Sequence, residues 1–168
     1  MAPLPTWLTD QTRTYSHPAP DPTPPTDARV GDLWWIRNDE GERALVAIIL
    51  IGDGDRIGPL DRMSISLCTT DFDMASDESL LFTAVETGAP YPVLVTGMVG
   101  PIERSQLLAR VGHLPVDPDG LEEAIECGAY APDLLARRGL PLHGRSDTRV
   151  ALLEDECERL WRFLAPLD

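Results

Sequence analysis

The spacing of apolar and polar residues between positions 30 and 98 predicts a β-sheet. Residues 63–69 alternate with a period of two, which is typical of a strand with one exposed face. Residues 44–51 are almost continuously apolar, which is typical of a strand buried on both faces. No long helix intervenes, so the pattern predicts a small antiparallel barrel or curled sheet. Its strands are expected over residues 30–37, 44–51, 63–69, 79–84 and 92–98.

Helical spacing of the apolar residues begins after these strands. Apolar residues fall on one side of residues 103–111, which predicts a short helix. Asp117 and Pro118 are typical of a helix start, and the helix that they begin is expected to end at Gly128. Two further helices are predicted, one over residues 132–138 and one that starts after Asp147.

Proline sets the N-terminal segment apart from the rest of the chain. Seven of the 16 prolines fall within residues 1–29, where they remove backbone donors and resist helix formation. This segment is expected to be an extended arm or linker. The chain is therefore predicted to be an α+β protein in three parts: the arm at 1–29, a β-barrel with a short helix at 30–115, and a C-terminal helical extension at 116–168.

The charge balance excludes several classes of function. The chain carries 28 acidic and 14 basic residues, and because every basic residue is an arginine it contains no lysine; the formal net charge is −14. Such a chain is a poor match for a polybasic protein that binds duplex nucleic acid or an anionic membrane surface. Without lysine, the phosphate-binding motif of P-loop enzymes cannot occur.

Targeting and cysteine patterns indicate a cytoplasmic protein. No apolar run approaches the roughly 20 residues that span a bilayer, and the N-terminus does not have the pattern of a signal peptide. Cys68, Cys127 and Cys157 are odd in number and widely spaced, which matches neither a disulfide framework nor a metal-binding pair. Three buried, reduced thiols are expected.

Two segments resemble a known protein family. The sequence Gly31-Asp-Leu-Trp-Trp-Ile36 is followed by a turn and then by Arg43-Ala-Leu-Val-Ala-Ile48, an order that looks like the opening of the MazF/PemK family. Residues 100–114 are similar to the closing pattern of that family. MazF/PemK proteins are the ribonuclease toxins of toxin–antitoxin pairs, and the resemblance covers about residues 29–115.

The resemblance implies an SH3-like or CcdB-like barrel that works as a homodimer and is restrained by a cognate antitoxin. It also implies that single-stranded RNA is cleaved by attack of a 2′-hydroxyl, without a metal ion or other cofactor. The family's catalytic arginine and threonine correspond here to Arg43 and to Thr69 or Thr70. A guanidinium suits this reaction because it offers paired donors to the charge that develops on the phosphate. The candidate RNA-binding residues are Trp35, Arg37 and Arg62.

Other interpretations of the same residues stay open. Arg43 could be a surface base that pairs with Glu40 or Glu42. The barrel could be a non-catalytic module that binds a protein, either the antitoxin or a gyrase-type partner, since an acidic surface favours a basic partner over RNA. A structural domain with a convergent pattern is a third interpretation. One further group could bind phosphate or neutralise nearby acids, namely Arg137, Arg138, Arg145 and Arg149.

Overall fold

The computed structural model describes residues 24–52 and 61–164. Most of the predicted arm, residues 53–60 and the last four residues therefore lie outside the described residues. The strands are β1 (Asp32–Arg37), β2 (Arg43–Ile51), β3 (Arg62–Thr69), β4 (Leu80–Phe82), β5 (Val93–Glu103) and β6 (Leu107–His113). The α-helices are α1 (Ala84–Thr87), α2 (Pro118–Cys127), α3 (Pro132–Leu135) and α4 (Thr148–Trp161). Short 3-10 turns cover Pro25–Asp27, Phe72–Met74 and Arg104–Gln106.

The six strands form one sheet in the order β4-β5-β3-β2-β1-β6, and all of its neighbours are antiparallel. The predicted α+β class is confirmed, but the sheet is not closed into a barrel, because its two edges, β4 and β6, do not pair. The reason lies at β4. Its outer side is occupied by the segment after α3, where the Leu81 amide donates to the Arg137 carbonyl at 3.0 Å.

The helix predicted over residues 103–111 is wrong. Residues 104–106 form a 3-10 turn, and the chain then continues as strand β6 along β1. A short apolar segment fits a helical or an extended period almost equally well. Pairing decides between them here, because β6 supplies partners for the backbone groups of β1 that would otherwise lie unpaired at the sheet edge.

The two faces of the sheet are both buried, and β2 explains why. Ala44, Val46 and Ile48 point to one side, which we call the α4 face, where they join Leu160 and Phe163 at the end of α4. The intervening residues of β2 point to the other side, which we call the α2 face, where they pack with residues of α2. These intervening residues are Leu45, Ala47 and Ile49, and those of α2 are Leu121 and Ala124. The continuous apolar run predicted a doubly buried strand, and this prediction is confirmed.

The caps of α2 follow the sequence closely. The Asp117 carboxylate accepts from the Gly120 amide at 3.1 Å, Pro118 occupies the first turn, and Gly128 ends the helix with a φ of 67°. These contacts satisfy backbone groups that a helix end leaves unpaired. Within the described ranges, no helix is long and apolar enough to cross a membrane.

The expectation of three buried thiols is wrong for two of them. Cys68 is buried in β3, whereas Cys127 and Cys157 are exposed near the ends of α2 and α4. Burial raises the pKa of the Cys68 thiol above its ordinary range, so that this group stays protonated and unreactive.

Candidate functional site

The predicted catalytic residues meet at one end of the sheet. Arg37 and Arg43 are direct partners across the β1–β2 hairpin. Leu45 pairs with Cys68 on the other side of β2. Thr69 ends β3 next to that pair, and Thr70 follows at a bend, so both lie at the end of the sheet where β2 begins. Residues far apart in sequence are thus gathered by the pairing of three adjacent strands.

Asn38 fixes the hairpin that presents Arg43. This side chain is 7% exposed, and its Oδ1 accepts from the Glu42 amide at 2.9 Å. The Asn38 amide donates to the Glu42 carbonyl at 3.2 Å, and the Gly41 amide donates to the Asn38 carbonyl at 3.0 Å. Gly41 has a φ of 85°, which side chains rarely tolerate. The sequence predicted a turn here, and the structure shows that Asn38 closes it.

Strand alternation separates the charges of the hairpin between the two faces. Arg43 precedes Ala44, which lies on the α4 face, so alternation places Arg43 on the α2 face. Trp35 packs against the α2-face core, and Arg37, two residues further along β1, therefore also lies on the α2 face. Glu42 is directed the other way, because its carboxylate contacts Arg162 at the end of α4.

The expected alternative pairing of Arg43 with Glu40 or Glu42 does not form in the structure. One carboxylate oxygen of Glu42 accepts from Arg162 at 2.8 Å, and the other accepts from Asn38 Nδ2 at 3.0 Å. The guanidinium groups of Arg37 and Arg43 are exposed and have no carboxylate partner among the residues that the structure describes. Within the described part of this strongly acidic protein, two cations without a carboxylate partner therefore stand side by side.

The two threonines differ in their surroundings. Thr69 is half-buried at the end of β3, and its Oγ1 accepts from the Asp71 amide at 3.0 Å. Its hydroxyl proton is not used by that bond. Thr70 follows the strand at a bend and is exposed. Cys68 packs into the α2-face core and Leu67 into the α4-face core, so alternation directs Thr69 to the α4 face, away from Arg43.

The three predicted RNA-binding residues are not brought together. Trp35 is half-buried and packs against the α2-face core, whereas the neighbouring Trp34 is fully buried on the other face. Arg62 begins β3 and pairs with Glu103, so it lies at the opposite end of the strand from Thr69. Seven residues of extended chain separate these ends by roughly 23 Å. Only Arg37 and Trp35 lie near Arg43.

A polar cleft opens beside Arg37. It has a volume of about 360 Å³ and lies between the hairpin at 37–41 and the 3-10 turn that precedes β6. Ser105, Gln106 and Leu108 form its other wall. This volume lies at the lower end of the range of small-molecule sites.

A second polar cluster lies at the other end of β1, and the sequence alone did not predict it. The Asp32 carboxylate is 3% exposed and accepts from Arg110 at 2.9 Å and contacts His113 Nδ1 at 3.0 Å. These partners lie on β6, 78 and 81 residues away. The arrangement joins the edge strand to the sheet. The periodic pattern of apolar residues predicts local structure only, so it could not predict contacts between residues this far apart in the sequence.

The basic group near the C-terminus is largely committed to structural contacts. Arg137 binds Glu86 at 2.8 Å, Arg138 lies over the Tyr130 ring, and Arg149 binds Asp147. The bond from Arg137 lowers the pKa of Glu86 to about 2. The bond from Arg149 likewise holds the pKa of Asp147 well below its ordinary range. This geometry favours the interpretation that these arginines neutralise nearby acids.

The comparisons with known proteins concern the fold. No protein-family model and no curated protein matches the chain. Among solved structures, it is similar to the Mycobacterium tuberculosis toxin MazF-mt6, with 19% identity, a TM-score of 0.40, and coverage of 57% of this chain and 93% of that chain. A crystal structure described as that of an Mtb toxin gives 19% identity, a TM-score of 0.39, and coverage of 56% and 99%. A likeness at this level assigns no role to any residue.

Proposed function

We propose that the protein is a MazF/PemK-like toxin, an endoribonuclease that cleaves single-stranded RNA without a metal ion and uses Arg43 to bind the reacting phosphate. The observation that carries the proposal is the arginine pair across the β1–β2 hairpin. Arg37 and Arg43 face each other directly, and neither has a carboxylate partner among the described residues.

Such a pair is costly unless an anion joins it. Like charges directly opposite each other in a sheet destabilise the pairing. The chain has twice as many acids as bases, so that carboxylates to neutralise the pair were abundant. The carboxylate of Glu42, the residue that precedes Arg43 in the chain, is bound to Arg162 instead. A phosphodiester between the two guanidinium groups would supply the missing negative charge through bidentate hydrogen bonds.

The proposed reaction assigns a role to each group at this end of the sheet. The 2′ oxygen of the RNA forms a bond to the adjacent phosphorus, and the bond from phosphorus to the 5′ oxygen of the next nucleotide breaks. Arg43 stabilises the negative charge that develops on the phosphate oxygens. A threonine hydroxyl donates to the same phosphate or relays a proton; of Thr69 and Thr70, Thr70 is the better placed, because alternation along β3 directs Thr69 to the face opposite to Arg43. Arg37 holds a phosphate at the mouth of the cleft that it lines.

The remaining features of the proposal concern the assembly. As a MazF/PemK-like toxin, the protein would act in the cytoplasm as a homodimer and be restrained by an antitoxin. A second candidate function, a non-catalytic protein-binding module for an antitoxin or a gyrase-type partner, is favoured by the net charge of −14, since that charge attracts a basic protein. Cleavage of RNA distinguishes the two.

The test is an RNA cleavage assay with matched arginine variants. Purified protein is incubated with mixed-sequence single-stranded RNA in the presence of EDTA. We expect cleavage by the wild type and a loss of about 10²–10³-fold in Arg43→Ala, the usual cost of removing a donor to a developing oxyanion. Arg29→Ala is the control, because this exposed arginine precedes the opposite end of β1. A wild type that leaves the RNA intact, or an Arg43→Ala variant as active as the wild type, contradicts the proposal.

A further inference from the structure

We infer that the C-terminal helix α4 is a positioning element for the candidate site, and that Arg162 keeps Arg43 active by holding the Glu42 carboxylate on the opposite face of the sheet. This inference rests on the proposed function. It gives a role to the helical extension, which the resemblance at residues 29–115 does not cover.

The first step concerns the charge next to Arg43 in the chain. Glu42 immediately precedes Arg43, so its carboxylate would be the nearest available partner for that guanidinium. Arg162 binds one oxygen of this carboxylate at 2.8 Å, and Asn38 Nδ2 binds the other at 3.0 Å. With both oxygens occupied on the α4 face, the acid is withheld from the arginine pair on the α2 face.

The second step concerns the backbone of Arg43 itself. Arg159 lies one turn before Arg162 in α4, and its guanidinium donates to the Arg43 carbonyl at 2.9 Å. Glu156 orients that guanidinium with two hydrogen bonds of 3.1 and 3.0 Å. Helix α4 therefore holds both the residue that begins β2 and the residue before it. One side of the helix makes both contacts.

The third step is that the end of α4 is itself firmly anchored. Leu160 is 3% exposed and Phe163 is 1% exposed, and both pack into the α4-face core. The Phe163 carbonyl accepts from Gln106 Nε2 at 2.8 Å. Leu164 lies against Gly100 of β5, where a β-carbon would overlap its side chain. An anchored helix end gives Arg162 a fixed position relative to the hairpin.

The arrangement makes a prediction that a merely stabilising ion pair does not make. In Arg162→Gln the Glu42 carboxylate keeps only the hydrogen bond from Asn38 Nδ2 and can turn towards the arginines. We expect kcat/KM for RNA to fall by about five-fold, the upper end of what an exposed ion pair contributes. Adding Glu42→Gln to that variant removes the competing carboxylate, so activity should return to the wild-type level. A purely structural role predicts that the double variant stays as slow as Arg162→Gln.

The experiment compares wild type, Arg162→Gln, Glu42→Gln and the double variant in the same cleavage assay. Arg29→Gln is the matched control, because this exposed arginine precedes β1 at the end opposite to the candidate site. Activity of Arg162→Gln equal to that of the wild type, or no recovery in the double variant, overturns the inference.

Hydrogen exchange separates a failure of this inference from a failure of the proposed function. The amides of Gly41 and Glu42 are hydrogen-bonded within the hairpin, and both should exchange faster in Arg162→Gln if α4 holds this segment. If the wild-type protein does not cleave RNA, the proposed function is wrong, and so is the inferred effect of Arg162 on catalysis. If the exchange rates of these amides are unchanged, α4 does not hold the hairpin in place, whether or not the protein cleaves RNA.

Discussion

Arg37 and Arg43 stand directly opposite each other across the β1–β2 hairpin, and neither guanidinium meets a carboxylate within the described part of the chain. Natural sequences commonly keep such an unfavourable pair where function requires it. The pair therefore affects both stability and activity. A substitution that removes one of the two arginines should raise the free energy of unfolding and lower the rate of RNA cleavage.

Replacing Arg37 by threonine should stabilise the fold while weakening RNA cleavage. The change removes a like-charged cross-strand neighbour and leaves a residue suited to a strand, so we expect unfolding to require about 0.2–1 kcal/mol more free energy. Urea denaturation measures this gain, and the cleavage assay measures the loss of activity. A less stable Arg37→Thr protein would show that the arginine has a partner that stabilises it.

The two threonines can be separated by valine variants. Thr69→Val removes the acceptor for the Asp71 amide, so we expect a loss of about 1 kcal/mol in unfolding free energy. Thr70→Val, at an exposed bend, should leave stability unchanged. Cleavage measured well below each melting temperature should be lost in one of the two variants, which identifies the reacting hydroxyl. Full activity in both would remove threonine from the mechanism.

The three cysteines should differ in reactivity. Cys127 and Cys157 are exposed, whereas Cys68 is buried and has a raised pKa. Under native conditions iodoacetamide is expected to modify two thiols, and the third only after denaturation, because the thiolate is the reactive form. Mass spectrometry of the intact protein counts the added groups. Native modification of Cys68 would indicate that β3 opens readily.

The Glu86–Arg137 pair should give stability a defined dependence on acid pH. Its hydrogen bond from Arg137 lowers the pKa of Glu86 from 4.5 to about 2. A carboxyl group whose pKa is lower in the folded state stabilises that state above pH 4.5, and this contribution is lost as the pH falls towards 2. Glu86→Gln should therefore be less stable than the wild type at neutral pH, and the difference should shrink across that interval.

Denaturation at a series of pH values checks this dependence. Arg137→Gln serves as the partner variant, because it removes the main cause of the lowered pKa. It should lose the larger part of the pH-dependent component, because the Thr83 hydrogen bonds that also lower the pKa of Glu86 remain. A difference between wild type and Glu86→Gln that stays constant from pH 7 to pH 2 would contradict the assignment.

Local patterns in the sequence were sufficient for much of the framework. The apolar run of β2 specifies a strand buried on both faces, and Asp117, Pro118 and Gly128 specify the ends of α2 through contacts within a few residues. The strand signals around Arg43 and Thr69 also placed both residues at strand ends. These features depend on period and on capping chemistry, which act over short separations along the chain.

Tertiary structure decided the features that local pattern leaves open. Residues 107–113 became a strand because β1 offered an edge to pair with, and the sheet stayed open because the segment after α3 occupies the outer side of β4. Arg62 and Arg43 likewise lie far apart, because Arg62 begins β3 whereas Arg43 lies beside the residues that end β3.

The sequence by itself determined five of the six strands, the capped helices and the presence of Arg43 and a threonine at strand ends. Only the tertiary structure decided which charges meet. It paired Arg37 with Arg43, and it directed Glu42 to Arg162, which lies 120 residues away. The physical reason is that an ion pair depends on the distance between side chains in space, and the course of the whole chain sets that distance.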